Sequence, residues 1–278
     1  MEQVVTLERE VTFSSGHRYW LPSLSEEENR ALFGPWASPY NHGHNYVLRV
    51  RTSGVMNPAD GMVVNIKTID DFLKNQIVAQ FDQKSLNDEV PFFRDRSPSL
   101  ENLVRYIRSQ MQGLPSEVKL EGLKLEETPT LYAEWHATYK EHTVTITRIY
   151  EFAASHRLHA PSLSNEENTA LFGKCNNVAG HGHNYVLEVT VSGEPDPHTG
   201  MIVGLEALDQ TVNQNIVDRY DHRNLNVDLP EFEGKNPTSE VVALQIFDTL
   251  KSVMPDLLVR VRLHETARSV FEVNAKVI

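Results

Sequence analysis

This chain of 278 residues contains a single cysteine, so no disulfide can form within it and a closed zinc site built from several thiolates is excluded. Long apolar runs are missing too. No window approaches the ~20 uninterrupted apolar residues of a membrane helix, and Met1-Glu2-Gln3 does not open a signal-peptide pattern. Positive charge is scarce, with 26 Lys and Arg against 38 Asp and Glu. The net charge of -12 argues against a general nucleic-acid binder, although a local basic pocket for phosphates is compatible with an acidic whole. No H-E-x-x-H helix signature occurs in either half. These absences leave a soluble cytoplasmic protein as the expectation. Its lone thiol is a buried small residue, a reactive group or incidental.

Histidine, by contrast, is patterned. The run His42-Gly43-His44-Asn45-Tyr46 returns as His181-Gly182-His183-Asn184-Tyr185, and each copy follows a lone His, His17 or His156. Two imidazoles at i and i+2 point to the same side of an extended strand, so they can converge on one ion. A third His must then arrive from elsewhere in the fold. Three neutral nitrogens with an open fourth position is the arrangement of a catalytic zinc. One H-x-H is weak evidence in a chain with 12 His, but its recurrence with the same upstream His makes it a metal-site signature.

The repeat extends well beyond the histidines. Ser23 to Asn29 reappears as Ser162 to Asn168, and Ala31-Leu32-Phe33-Gly34 as Ala170-Leu171-Phe172-Gly173, both displaced by 139 positions. Asp82 to Asp221 and Glu101 to Glu240 keep that displacement, and it slips by one only at Glu127-Thr128 and Glu265-Thr266. This pattern is a tandem duplication of a domain of ordinary size. The expected domains are 1–141 and 142–278.

Apolar and β-branched residues predict two opening strands in each copy, at 4–15 and 45–53, then at 143–154 and 184–192. Between them, 24–33 and 163–172 form a polar excursion closed by Phe-Gly, of the kind that often covers a site. Helical spacing follows at Ile69, Phe72, Leu73, Ile77 and Val78, matched by Leu208, Val212, Ile216 and Val217. A second helix is predicted after Pro98-Ser99 and Pro237-Thr238, where a Ser or Thr cap follows proline. Strands at 120–127 and 130–138, then 257–265 and 269–273, complete a ββααββ order. An antiparallel four-stranded sheet with two helices on one face leaves two open edges, which call for covering or pairing.

The second copy also contains Phe152-Ala153-Ala154-Ser155-His156-Arg157-Leu158, Leu171-Phe172-Gly173-Lys174-Cys175-Asn176-Asn177, Tyr220-Asp221-His222-Arg223-Asn224-Leu225-Asn226 and His264-Glu265-Thr266. Together with the His-Gly-His run, these motifs resemble the 6-pyruvoyltetrahydropterin synthase and 6-carboxytetrahydropterin synthase family over the whole copy. The resemblance implies an α+β protein of tandem tunnelling-fold domains, in which three ββααββ units join edges into a twelve-stranded barrel and two barrels stack. It also implies a zinc lyase that converts 7,8-dihydroneopterin triphosphate to 6-pyruvoyltetrahydropterin.

That conversion needs protons removed from a hydroxylated side chain, loss of triphosphate and an internal redox shift, with no nicotinamide. Zinc held by His156, His181 and His183 is expected to act on the side-chain hydroxyls as a Lewis acid. Cys175 is the expected base, since a thiol becomes a useful thiolate beside a metal or an imidazolium. His222, oriented by Asp221, supplies such a partner. A pterin edge offers an N–H and an amino group, two donors that one carboxylate accepts in parallel. The resemblance gives that anchoring role to Glu240 and a proton relay to Glu265.

The first copy departs at the reacting groups. Trp36 stands where Cys175 stands, and Gln83 replaces His222, while His17, His42, His44, Asp82, Glu101 and Glu127 remain. Gln accepts no proton near neutral pH and indole is no base. The first domain is therefore expected to bind its own zinc without catalysing, with Glu101 and Glu127 as its candidate pterin contacts. In the family the thiol and the Asp-His pair come from neighbouring units, so the expected assembly is a trimer of two-domain chains, with no nucleic-acid or membrane partner. Two other functions stay open: a 6-carboxytetrahydropterin synthase acting on the same substrate with release of acetaldehyde, and a non-catalytic pterin-binding protein.

Overall fold

The computed structural model describes residues 3–275. Met1 and Glu2, on which the N-terminal reading partly falls, lie outside the described residues, as do positions 276–278 at the end of the second expected domain. By contacts the chain forms two compact units, residues 1–146 with 192–206, and residues 147–191 with 207–278. Each is α+β.

The first unit opens with β1 (Val4–His17), whose antiparallel partner is β2 (His42–Val55). The excursion between them is helical. Helix α1 (Glu26–Phe33) starts at Ser25, whose hydroxyl accepts from the Glu28 N–H while the Glu28 carboxylate returns to the Ser25 N–H. This capping box satisfies two orphan donors of the first turn, and its Ser-x-x-Glu signature stands in the sequence of both copies. Next comes a long helix in three pieces, α2 (Ile66–Phe72), a π-helical stretch Leu73–Val78 and α3 (Ala79–Phe81). Short β3 (Lys84–Ser85) pairs parallel to the end of β1, and α4 (Leu86–Glu89) follows. Helix α5 (Leu100–Gln110) is capped by Ser99, the residue after proline, as expected. Strands β4 (Lys119–Thr128) and β5 (Leu131–His136) close the unit, giving the sheet order β3-β1-β2-β4-β5.

The register sorts the side chains by face. Val50 pairs with Leu123, and Leu48 with Leu125, while Leu125 also faces Ala133. These residues are buried. The alternate residues carry charge, and Arg49 lies 2.9 Å from Glu10 and 3.5 Å from Glu126. One apolar face and one charged face is the division that period-two alternation dictates.

The second unit repeats this plan. Strand β6 (Val144–His156) is followed by α6 (Asn165–Phe172), β7 (His181–Gly193), α7 (Leu205–Val212) with a π-helical stretch Asn213–Val217, and α8 (Asp218–Tyr220). Then come β8 (Arg223–Asn224), α9 (Ser239–Val253) capped by Thr238, β9 (Leu258–Thr266) and β10 (Ser269–Asn274). Strand β9 pairs antiparallel with both β7 and β10, and β8 pairs parallel with β6. Among the described residues no helix is long and apolar enough to cross a membrane.

Candidate metal and catalytic centres

In the first unit the sheet register builds the His cluster. His17, the last residue of β1, pairs with His42, the first of β2, and two residues along Ser15 pairs with His44. Paired positions share a face, so His17, His42 and His44 project together. Their ligand atoms all lie within 4.8 Å of one another, as do those of His156, His181 and His183 in the second unit.

Each cluster is oriented from outside. The His156 Nδ1 lies 2.9 Å from the Pro237 carbonyl, and the His17 Nδ1 lies 3.2 Å from that of Pro98. A carbonyl only accepts, so Nδ1 carries the proton and Nε2 presents its lone pair to the cluster. There the His156 Nε2 is 3.2 Å from the His181 Nε2, and the His183 Nε2 is buried without a hydrogen-bond partner. Burial holds His156 and His183 below the ordinary imidazole range, with the neighbouring imidazoles adding to the effect. In the first unit burial lowers His17 to about 3 and His44 to about 4. Such rings stay neutral at physiological pH. Convergent neutral imidazoles, one with no partner for its lone pair, are a donor set suited to a divalent transition metal.

A carboxylate flanks each triad. Glu265 lies 3.8 Å from the His156 Nε2 and 3.7 Å from the His183 Nε2, and accepts a 2.6 Å bond from the Ser239 hydroxyl. Glu127 lies 3.8 Å from His17 and 3.5 Å from His44. Leu100 occupies the first unit's position equivalent to Ser239. Ser239 was not among the residues singled out from the sequence, and its place beside the Thr238 cap gave no chemical signal.

Glu101 and Glu240 have different surroundings. Glu240 is exposed in the first turn of α9. Glu101 is 1 % exposed and accepts 3.0 Å from the Ile202 N–H. Burial raises its carboxyl to about 7, against the lowering effect of that N–H.

Cys175 sits half-buried in a 3-10 turn, Gly173–Asn176, whose first-unit counterpart is Gly34–Trp36. The two turns are held alike: the Leu158 N–H donates to the Cys175 carbonyl at 2.8 Å, and the Tyr19 N–H to the Trp36 carbonyl at 3.2 Å. Asp221 and His222 follow the end of α8. The Asp221 carboxylate accepts 2.7 Å from the Ala153 N–H and 2.8 Å from the His222 Nδ1. That backbone bond, then the His222 ring, holds the Asp221 carboxyl below its usual range. His222 has φ +58°, a left-handed conformation costly for a side chain with a Cβ, and Gln83 shares it at +59°.

His222 opens onto a groove of ≈ 570 Å³ beside Ala153 and Ser155, whose side chains alternate along β6 with that of His156. The first unit has a smaller groove, ≈ 390 Å³, lined by Ser14, Asn45 and Gln83. Ser14 and Asn45 pair on the face of the hairpin opposite the His17 triad. Within a unit, then, the structure gathers the three histidines and the Glu of the Glu-Thr pair. The Asp-His pair opens onto a groove that His183 also lines, and among the described residues no hydrogen bond joins it to Cys175.

The fold and these centres define a class, duplicated α+β domains each carrying a three-histidine cluster that could hold a metal, flanked by a carboxylate. Residues 6–138 and 145–276 both match the family model described as 6-pyruvoyl tetrahydropterin synthase, so the chain belongs to that family. The human 6-pyruvoyl tetrahydrobiopterin synthase is 46% identical over 126 residues, 45% of this chain and 87% of the relative. A putative 6-pyruvoyl tetrahydrobiopterin synthase of Caenorhabditis elegans is 46% identical over 130 residues, 46% of this chain and 92% of the relative. A 6-carboxy-5,6,7,8-tetrahydropterin synthase of Bacillus subtilis is 35% identical over 89 residues, 31% of this chain and 56% of the relative. The solved structure of the Caenorhabditis elegans 6-pyruvoyl tetrahydropterin synthase aligns at 42% identity and a TM-score of 0.47, covering 50% of this chain and 100% of that one.

Proposed function

We propose that this protein is a lyase converting 7,8-dihydroneopterin triphosphate to 6-pyruvoyltetrahydropterin with loss of triphosphate, and that its second domain, 142–278, carries the reaction. The observation that carries this reading is the retention, in that domain alone, of Cys175 and a hydrogen-bonded Asp221-His222 pair alongside the triad His156, His181 and His183. The first domain, 1–141, keeps its triad but has Trp36 and Gln83 at the reacting positions.

The roles follow from the chemistry of each group. Zinc is the metal we assign to both triads; bound at the second, it supplies Lewis-acid polarisation of the substrate's side-chain hydroxyls. Cys175 takes the proton from the side chain. Asp221, fixed by the Ala153 N–H, holds His222 in one orientation, so that the imidazole can receive and return a proton. Glu240 accepts the paired donors of the pterin edge, and Glu265, gripped by Ser239, relays protons beside the triad. A complete centre needs Cys175 next to an Asp221-His222 pair from another copy, and the assembly we assign is a trimer of two-domain chains.

Cys175→Ala tests the reading. Turnover of dihydroneopterin triphosphate should fall by about 100-fold or more, the range set by loss of a general base, while zinc content stays the same. Unchanged turnover would favour a carrier or a different reaction.

A further inference from the structure

The turn that carries Cys175 is gripped by side-chain contacts that the second unit alone makes. The Arg157 Nε donates to both the carbonyl and the side-chain oxygen of Asn176, at 3.1 and 3.0 Å. The Arg157 Nη2 lies 3.2 Å from the His159 Nδ1. Arg has only donors, so the ring nitrogen accepts from it. Leu158, between these two residues, donates its N–H to the Cys175 carbonyl at 2.8 Å. Two consecutive residues, Arg157 and Leu158, thus hold the turn at two consecutive carbonyls.

Arg157 is fixed in turn. Its N–H donates to the Asn226 Oδ1 at 2.7 Å, and the Asn226 amide donates back to its carbonyl at 3.0 Å. It also directly follows His156. The position of the thiol is therefore tied, through one residue, to the metal triad and to the loop that continues from His222.

The first unit keeps the backbone part and lacks the clamp. Asn87 embraces the Arg18 backbone at 3.0 and 3.1 Å, and Tyr19 holds the Trp36 carbonyl. But Ala37 replaces Asn176 and Trp20 replaces His159. The Arg18 guanidinium instead lies 4.8 Å over the Trp20 ring and donates to the Pro39 carbonyl. Clamp and thiol occur together in one copy and are absent together from the other.

We propose that Arg157, with Asn176 and His159, is a positioning set for the catalytic thiol, fixing Cys175 for proton abstraction without touching substrate. This rests on the function proposed above. A turn held at two carbonyls and one side chain keeps its thiol in place, and misplacement of a reacting group by an ångström can cost about 100-fold. Because Cys175 is the sole cysteine, alkylation by iodoacetamide reads this thiol and no other.

The test compares the full-length wild type with Asn176→Ala, Arg157→Lys and Asn176→Asp. The first removes the side-chain acceptor, the second keeps the charge but loses the fork, and the third keeps a side-chain acceptor oxygen. Asn176→Ala and Arg157→Lys should lower kcat about 10- to 100-fold with KM within about twofold, and should change the alkylation rate by about tenfold at unaltered zinc content. Asn176→Asp should restore both to within about threefold of wild type. Alkylation rate and kcat within twofold of wild type in both disrupted variants would overturn the proposal, as would equal losses in Asn176→Asp. If one disrupted variant fails to fold, the other decides. A wild type inert toward dihydroneopterin triphosphate but showing the alkylation pattern would sink the proposed function and leave the clamp standing.

Discussion

At the residue scale the two copies differ through few side chains. Neither triad could be ranked by its histidines, since both present convergent neutral imidazoles oriented by a proline carbonyl. Zinc stoichiometry should therefore be two per chain by elemental analysis, and His183→Ala should lower it to one; a value still at two would remove His183 from the ligand set. Glu101 makes a separate prediction. Its carboxyl is raised to about 7 in the folded state by burial, against an ordinary value of 4.5. Below pH 4.5 both states hold the proton and no stability is lost. Between 4.5 and 7 the unfolded chain gives it up first, so stability declines with rising pH and levels off above 7. At about 1.4 kcal/mol per pH unit the total is on the order of 3 kcal/mol. Glu101→Gln should remove that decline in urea unfolding series at pH 4 to 8, and an unaltered pH slope would contradict this assignment.

At the element scale the excursion before each His-Gly-His strand is held by one asparagine. Asn168 is fully buried, accepts 2.7 Å from the Ala160 N–H and donates to the carbonyls of Ala160, Leu163 and Ser164. Asn29 does the same in the first unit. Asn168→Leu strands these backbone groups, and at about 1–3 kcal/mol per unsatisfied buried group should destabilise the second unit by roughly 3 kcal/mol in chemical denaturation. A loss below about 1 kcal/mol would show the excursion is held by other means. The elements were largely legible. Proline followed by a Ser or Thr cap marked the starts of α5 and α9, and the β-branched runs marked the strands. The excursion helices were also written in the sequence, as Ser25 to Glu28 and Ser164 to Glu167, but as short polar turns they carried no apolar period. The π-helical stretches at Leu73–Val78 and Asn213–Val217 were not legible, because apolar spacing fixes a buried face without distinguishing hydrogen-bond patterns. Nor were Ser239, Asn176 and Asn226, whose importance arises only when chain-distant segments meet.

At the scale of the whole molecule the two histidine clusters were legible because strand geometry forces them together: i and i+2 share a face, and the third histidine stands opposite the first on the paired strand. The proposed division of labour between copies rests on Trp36 and Gln83 at the reacting positions. Among the described residues no hydrogen bond joins Cys175 to the Asp221-His222 pair, and in the proposed composite centre they meet between chains, so association is the expected condition for activity. Sedimentation velocity should show a trimer of two-domain chains, and a stable monomer with full activity would refute the composite centre. The most direct measurement incubates the purified full-length protein with 7,8-dihydroneopterin triphosphate and resolves the products by mass. The account predicts triphosphate and 6-pyruvoyltetrahydropterin; acetaldehyde with a 6-carboxylated tetrahydropterin, or unconsumed substrate, would contradict it.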